Sequence, residues 1–283
     1  MCRLFWLLVL SLVTSLIFAY PTQHAFPAFK IIGNLYYVGT DDLASYLIVT
    51  PKGNILINSN LAPDVPLIKA SVEMLGFKWS ATKILLISHA HLDHAAGSKL
   101  IKQQTNASYR VMAADVPLVT SGGRADFYYG NDKSMYFPAT GVDKVLHDGE
   151  QVKLGDTVLT AHLTPGHTKG CTTWTLNVHE NHKTYKVVIL GSVNVNPGYN
   201  LIHDTQYPTM AKDFKQSFKT LKSLPCDVFL GAHAQYFNLQ QKYALLNQSG
   251  VNPFIDALGF KQHIQQKQQE FYAKLKQQSA DKK

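Results

Sequence analysis

The sequence predicts an α+β fold: two mixed sheets packed face to face with helices outside, a four-layer αβ/βα sandwich. Three observations point there. Short β-rich runs separated by turn residues dominate the first third, the second half repeats a strand-then-helix scheme, and no low-complexity linker, repeat or proline-rich hinge parts the halves. A sheet with one apolar face must bury it, and two such halves on a continuous chain bury theirs against each other while helices cover the outer faces. With 283 residues and 46% apolar content, the chain can fill one large core, so residues 20–283 are read as one domain.

Met1-Cys2-Arg3 is a charged start, Leu4 to Ile17 an apolar run, and Ile17-Phe18-Ala19 a small-residue end. Residues 1–19 therefore read as a secretory signal cleaved after Ala19, which sends the protein to the periplasm. A spanning helix needs about 20 apolar residues, more than this run offers before Pro21, so no membrane anchor is expected after cleavage. Cys2 lies too far from the cleavage point to become a lipidated first residue.

Leu35 to Val38, Tyr46 to Thr50 and Ile55 to Ser59 read as strands of a meander, the last two joined through Pro51-Lys52-Gly53-Asn54. Val65 to Leu75 has helical periodicity and stops at Gly76, an ordinary C-terminal cap. Ile84 to Ile87 is a short unbroken apolar run, hence a buried strand. Strands follow at Val158 to Leu163, Thr172 to Val178, Tyr185 to Leu190 and Val228 to Leu230, with a helix over Ala211 to Leu224. In the tail, Phe260, Ile264, Phe271 and Leu275 recur at helical spacing, so that face docks while the lysines stay wet.

The net charge is +8. Much of it sits in the tail, where Lys261, Lys267, Lys274, Lys276, Lys282 and Lys283 outnumber Glu270 and Asp281, the pattern of a solvated helix and not of a nucleic-acid surface. Removing the signal leaves Cys171 and Cys226, too few for a disulfide scaffold, so the core must hold the fold. Cys171 reads as a buried small residue, and spacing alone leaves a pairing with Cys226 open. With no coiled coil or large apolar surface helix in the pattern, a monomer is expected.

The sharpest motif is His89-Ala90-His91-Leu92-Asp93-His94, after the buried strand and before a helix expected from Ala95. A loop between a strand end and a helix start can turn several side chains inward. Thr164-Pro165-Gly166-His167-Thr168 ends another strand in a glycine turn, and Gly231-Ala232-His233 follows a third. Zinc takes nitrogen and oxygen donors in roughly tetrahedral sets, and a catalytic zinc keeps one position open. The sets become His89, His91 and His167 on a first zinc, and Asp93, His94 and His233 on a second. His24, His147, His162, His179, His182, His203 and His263 read as surface or core residues.

The motifs HAHLDH at 89–94, PGHTKGCTTW at 165–174 and GAH at 231–233 resemble the metallo-β-lactamase fold superfamily, in the right order. That superfamily also holds thioesterases, lactonases and phosphodiesterases. Most of these carry a bridging Asp after a glycine where this chain has Gly191-Ser192, and a serine cannot bridge two zincs as a carboxylate does. A serine here, followed by Asn196-Pro197-Gly198-Tyr199 and paired with an intact HxHxDH, is similar to subclass B3 enzymes. VGTDDLASYLIVTPKGNILINS at 38–59 and Ser121-Gly122-Gly123 resemble the FEZ-type branch of that subclass. In such relatives a cysteine matching Cys226 pairs with one in the C-terminal segment, where Phe260 stands in this chain, so that disulfide is expected to be missing.

The resemblance implies a β-lactamase with two Zn2+ per chain and a zinc-bridged hydroxide as nucleophile, opening the amide bond of penicillins, cephalosporins and carbapenems as small-molecule substrates. Asp93 would orient the hydroxide. Tyr199 would donate to the developing oxyanion, its alternative being a packed aromatic. Ser192 and Asn196, with Asn194 behind them, are candidates for binding the substrate carboxylate; the alternatives are a small strand-end residue for Ser192 and turn chemistry for Asn196. The loop Arg124 to Tyr129 offers aromatics that could cover the substrate. Rival readings are a lactone or thioester hydrolase of the same fold and a secreted zinc-binding protein without catalysis.

Overall fold

Successive residues of a strand face opposite ways, so a strand apolar at every position must be covered on both sides. Tyr46-Leu47-Ile48, Ile55-Leu56-Ile57 and Ile84-Leu85-Leu86 have this pattern, and each is split between two apolar clusters: the middle residue joins one, its neighbours the other. A computed structural model describes residues 24–248 and 250–280. The expected signal segment, residues 1–19, lies outside the described residues.

The first sheet runs β1 (Phe29–Ile32), β2 (Leu35–Tyr37), β3 (Tyr46–Thr50), β4 (Gly53–Ile57), β5 (Thr82–Leu86), β6 (Ser108–Met112) and β7 (Lys144–Leu146), in that spatial order. β1 to β4 pair antiparallel and β4 to β7 parallel. The second sheet joins β8 (Gln151–Leu154), β9 (Thr157–Leu163), β10 (Thr172–Glu180), β11 (Lys183–Leu190) and β12 (Val228–Gly231), with only β11 and β12 parallel among its neighbours. Both sheets are thus mixed.

Outside the first sheet, α1 (Val65–Met74) and α3 (Ser98–Thr105) bury Val65, Ile68, Val72 and Ile101 against Leu47, Leu56 and Leu85. The second sheet is covered by α5 (Met210–Ser223) and α7 (Ala257–Ala280), the helices following the short α2 (Leu92–Ala95), α4 (Val116–Ser121) and α6 (Leu239–Leu245). Phe271 of α7 packs on Phe214 and Phe218 of α5, and Phe260 on Phe229 of β12, with ring centres 5.3 to 5.7 Å apart. Each fully buried Leu, Ile or Phe contributes about 1.5–3 kcal/mol, so this core needs no covalent staple. Cys171 and Cys226 are both free, which closes the pairing that spacing had left open.

Three differences from the expected elements have physical causes. The strand expected to reach Ser59 ends at Ile57, because Asn58 and Asn60 take left-handed φ values of 66° and 52°, which Asn tolerates. Where one helix was expected from Ala95, the chain forms a short turn at Leu92–Ala95 and a second helix from Ser98, so Asp93 and His94 ride on a helical turn closed by the Ala95 N–H to His91 carbonyl bond. Strands β6, β7 and β8 and helix α4 carry no strong period in the sequence.

Candidate metal centre

β5, β9, β11 and β12 deliver their C-terminal ends to one edge of the sandwich; the chain leaves β5, β9 and β12 through loops that carry the metal donors, and β11 through the segment with Ser192, Asn194 and Asn196. Cross-sheet bonds fix these loops. The Thr172 N–H donates to the Ser88 carbonyl at 2.7 Å, Trp174 Nε1 to the Ile87 carbonyl at 3.2 Å, and the Ala44 N–H to the Ala232 carbonyl at 3.0 Å. Asn58, held left-handed at the end of β4, accepts from the Ser88 N–H at 2.8 Å and the Ser88 hydroxyl at 2.6 Å, anchoring the residue before His89. Asp115 clamps two loops at once. Its Oδ2 accepts from the Ala90 N–H at 2.9 Å and Thr168 Oγ1 at 2.8 Å, and its Oδ1 from the Gly170 N–H at 2.7 Å. Burial pushes its carboxyl up to about 6 despite these donors.

The loops bring all six expected donors together. His91 Nδ1 lies 3.2 Å from His167 Nε2, and His89, His91 and His167 can each present a nitrogen within 4.8 Å of the others. Next to them His94 Nε2 stands 3.2 Å from His233 Nε2 and 3.3 Å from Asp93 Oδ2, which is 3.5 Å from His233 Nε2. The ligand atoms of His89, Asp93 and His94 also lie within 4.8 Å of one another, so the two sets adjoin.

The outer face of each ring shows which nitrogen is offered inward. His167 Nδ1 donates to the Asn194 carbonyl at 2.9 Å, leaving Nε2 for the centre. His91 Nε2 faces Asp126 Oδ2 at 3.4 Å and His233 Nδ1 faces Asp42 Oδ1 at 3.6 Å, the carboxylate–histidine arrangement that orients ligands. Burial drives His89, His94 and His167 downward, His167 to about 3, with neighbouring histidines adding to the fall for His89 and His167. Burial opposes charge on Asp93 too, but His94 and His233 hold it far below the carboxylate range. Burial also opposes charge on His91 and His233, but the carboxylates of Asp126 and Asp42 outweigh it and raise both; neutral His89, His94 and His167 and an ionised Asp93 are in the states a metal requires. Ring nitrogens 3.2 Å apart set lone pair against lone pair unless a proton or a cation lies between them, and five imidazoles with one carboxylate form a donor set suited to zinc. Zinc fits.

The cleft over these donors has a volume of about 260 Å³ and is walled by Tyr129, Met135, Asn194, Asn196 and Tyr236. A larger groove of about 730 Å³ lies between α7 and the segment around Cys226, but it contains none of the histidines. Chemistry, not volume, selects the site.

The structure places two of the expected residues behind the cleft wall. Tyr199 does not reach the cleft: it is 0% exposed, its hydroxyl donates to the His167 carbonyl at 2.9 Å, and its ring packs on Phe127 and Tyr128. The turn at Gly198, with φ of 87°, sends the chain inward. Ser192 is 1% exposed and lies behind Tyr236, with its Oγ 3.3 Å from the Tyr236 hydroxyl, so it supports the wall from behind. Asn196 does line the cleft, donating through Nδ2 to Tyr129 Oη at 3.1 Å. Asp42, Asn58, Asp115, Asp126 and Tyr236 were missed.

Comparison with known proteins agrees with this geometry. The family model described as "Metallo-beta-lactamase superfamily" matches residues 39–179. The native FEZ-1 metallo-beta-lactamase from Legionella gormanii superposes with a TM-score of 0.91 at 62% identity, over 92% of this chain and 99% of that one. BJP-1, a subclass B3 metallo-beta-lactamase of Bradyrhizobium japonicum, gives 0.86 at 34% identity, over 92% and 98%. The mitochondrial persulfide dioxygenase ETHE1 of Homo sapiens is 28% identical over 92 residues, a match that spans 28% of that relative's length.

Proposed function

Because the chain belongs to the metallo-β-lactamase superfamily, with the fold of its subclass B3, we propose that it hydrolyses the β-lactam amide bond of penicillins, cephalosporins and carbapenems. One observation carries the reading: the likeness to FEZ-1 covers nearly all of that enzyme at 62% identity. Ser192, where a bridging carboxylate would otherwise stand, separates the site from the thioesterase pattern.

His89, His91 and His167, and Asp93, His94 and His233, would hold zinc, which would supply Lewis acidity toward the lactam carbonyl and its leaving nitrogen and would acidify the attacking water. The protein does the rest. Asp93 stays ionised at neutral pH and lines the cleft, so its carboxylate accepts a hydrogen bond from that water and aims it. An amide NH2 has two donor hydrogens. Asn196 spends one on Tyr129 and turns the other toward a substrate oxygen. Tyr129 and Met135 form the less polar wall that limits water around the ring.

A hydrolysis panel tests this: a chromogenic cephalosporin, a penicillin, a carbapenem, a lactone and a thioester, each assayed native, chelated and after zinc restoration. Ring opening that is lost with chelator and restored by zinc is expected. Thioester or lactone turnover without β-lactam turnover would replace the reading with its rival, and no turnover despite bound zinc would leave a zinc-binding protein. We also propose a periplasmic monomer, supported by the signal-like residues 1–19; among the described residues no helix is long and apolar enough to cross a membrane. Osmotic-shock fractionation and sedimentation test those two points.

A further inference from the structure

The wall of the cleft beside His233 is built around a phenol. Tyr236 belongs to the tight turn Ala234–Phe237 that follows β12 and is 7% exposed. Its ring lies on Gly231, where any Cβ would come within 2.9 Å of Tyr236 Cδ2. The rings of His233 and His263 face it, with centres 5.2 and 5.1 Å away. Packed in this way, the ring carries its hydroxyl to one fixed point.

Three polar contacts then decide where the phenolic hydrogen goes. Asn194 Nδ2 donates to Tyr236 Oη at 2.7 Å. The Asn194 backbone N–H donates to Ser192 Oγ at 3.3 Å, and Ser192 Oγ lies 3.3 Å from Tyr236 Oη. With one serine lone pair taken by that backbone N–H, the serine hydrogen is free to point at the phenol. Asn194 and Ser192 then fill the acceptor capacity of Tyr236 Oη, and its own hydrogen is left for an acceptor in the cleft. A phenol is un-ionised at neutral pH, so it remains a donor there. Asn194 and Asn196, which share the cleft with it, are also neutral, and the carboxylate that lines the same cleft, Asp93, is turned to His94 and His233 at 3.3 and 3.5 Å.

Resting on the β-lactam reading above, we propose that Tyr236, positioned by Asn194 and Ser192, donates the hydrogen bond that receives the substrate carboxylate and so selects substrates carrying that anion. A hydrogen bond to a charged group is stronger than one to a neutral acceptor, which makes the acid form of a substrate the sensitive probe.

Tyr236→Phe keeps the ring on Gly231 and removes only the hydroxyl. A cephalosporin and its methyl ester serve as paired substrates, with zinc content measured on every preparation. For Tyr236→Phe the KM of the acid should rise about tenfold or more while kcat stays within about threefold, and the KM of the ester should not move. Asn194→Ala, which loosens the hydroxyl without deleting it, should raise the acid KM by a smaller factor. An unchanged acid KM in Tyr236→Phe overturns the proposal. So does an equal rise for acid and ester, or a loss of zinc, which would make Tyr236 a support for His233. Failure of the unmutated enzyme on every β-lactam is a separate result, seen before any variant is read, and it falls on the reaction assigned above.

Discussion

Asp126 Oδ2 stands 3.4 Å from His91 Nε2, with both side chains almost fully buried. The other nitrogen of that ring, Nδ1, faces His167 Nε2, so the carboxylate fixes which nitrogen carries the proton and which is offered to the metal. Asp126 is itself held, since its Oδ1 accepts the N–H groups of Tyr128 and Tyr129 at 2.8 and 2.7 Å. Burial opposes its charge, but His91 and these amides keep its carboxyl below the ordinary range. Asp126→Ala should weaken zinc binding about 10- to 100-fold, with the set containing His91 emptied first. Competition against a chelating dye measures it, and an affinity equal to the parent's would remove Asp126 from the centre.

Gly166 illustrates how packing places a ligand. Its φ is 132°, and a Cβ there would strike the Phe214 ring at 2.7 to 2.8 Å, so α5 and the turn before His167 approach each other only because the side chain is missing. Gly166→Ala combines overpacking of about 1–3 kcal/mol with a backbone conformation unsuited to alanine. A lower unfolding midpoint together with reduced zinc content is expected. Intact zinc content at a lowered midpoint would mean that the turn relaxes without moving His167.

Much of this centre was legible in the sequence because its ligands sit in short motifs at the ends of strongly apolar strands. His89, His91, Asp93, His94, His167 and His233 needed only local spacing and strand order to be grouped. Asp42, Asn58, Asp115 and Asp126 could not be found that way: a carboxylate or amide that orients a distant loop has no local spacing signature, and Asp115 acts on residues as far along the chain as Gly170. For Tyr199 the two alternatives stayed open for a related reason, since the sequence places an aromatic after a Pro-Gly turn without saying which side of that turn it faces. The tail succeeded: Phe260, Ile264 and Phe271 are buried as their spacing required. β6 was missed because Ser108-Tyr109-Arg110-Val111-Met112 is too short and too polar to stand out from a loop.

His263 carries a pH prediction. Burial, with Lys267 adding to it, lowers its pKa from 6.5 to about 4. The unfolded chain therefore takes up a proton at this residue near pH 6.5 and the folded chain only near pH 4. Its contribution to stability is fully present above pH 6.5 and is lost as the pH falls from 6.5 toward 4, by about 2 kcal/mol at pH 5. His263→Phe removes the titration and keeps a ring against Phe229 and Tyr236. Urea unfolding of the metal-free proteins at pH 7.5 and pH 5 should show a smaller acid-side loss in the variant. Parallel losses in the two proteins would refute the assignment.

The C-terminal helix also restrains the segment behind the cleft, through Gln278. Gln278 Nε2 donates to the Tyr199 carbonyl at 2.7 Å, and its Oε1 accepts the Leu201 N–H at 2.8 Å. Tyr199 passes this restraint on through its hydroxyl to the His167 carbonyl, and the same segment carries Asn194 and Asn196. Two net hydrogen bonds are worth about 1–3 kcal/mol, enough to loosen the segment without unfolding the helix, whose docking rests on Phe260, Ile264 and Phe271. Gln278→Ala should therefore raise KM a few-fold at unchanged zinc content. Gln278→Glu keeps the acceptor for Leu201 but sets an anion against the Tyr199 carbonyl, so it should impair binding at least as much as the alanine variant. Were the glutamate enzyme to bind substrate like the parent while the alanine enzyme did not, the contact with Leu201 alone would hold the segment, and the path through Tyr199 to His167 would carry no restraint.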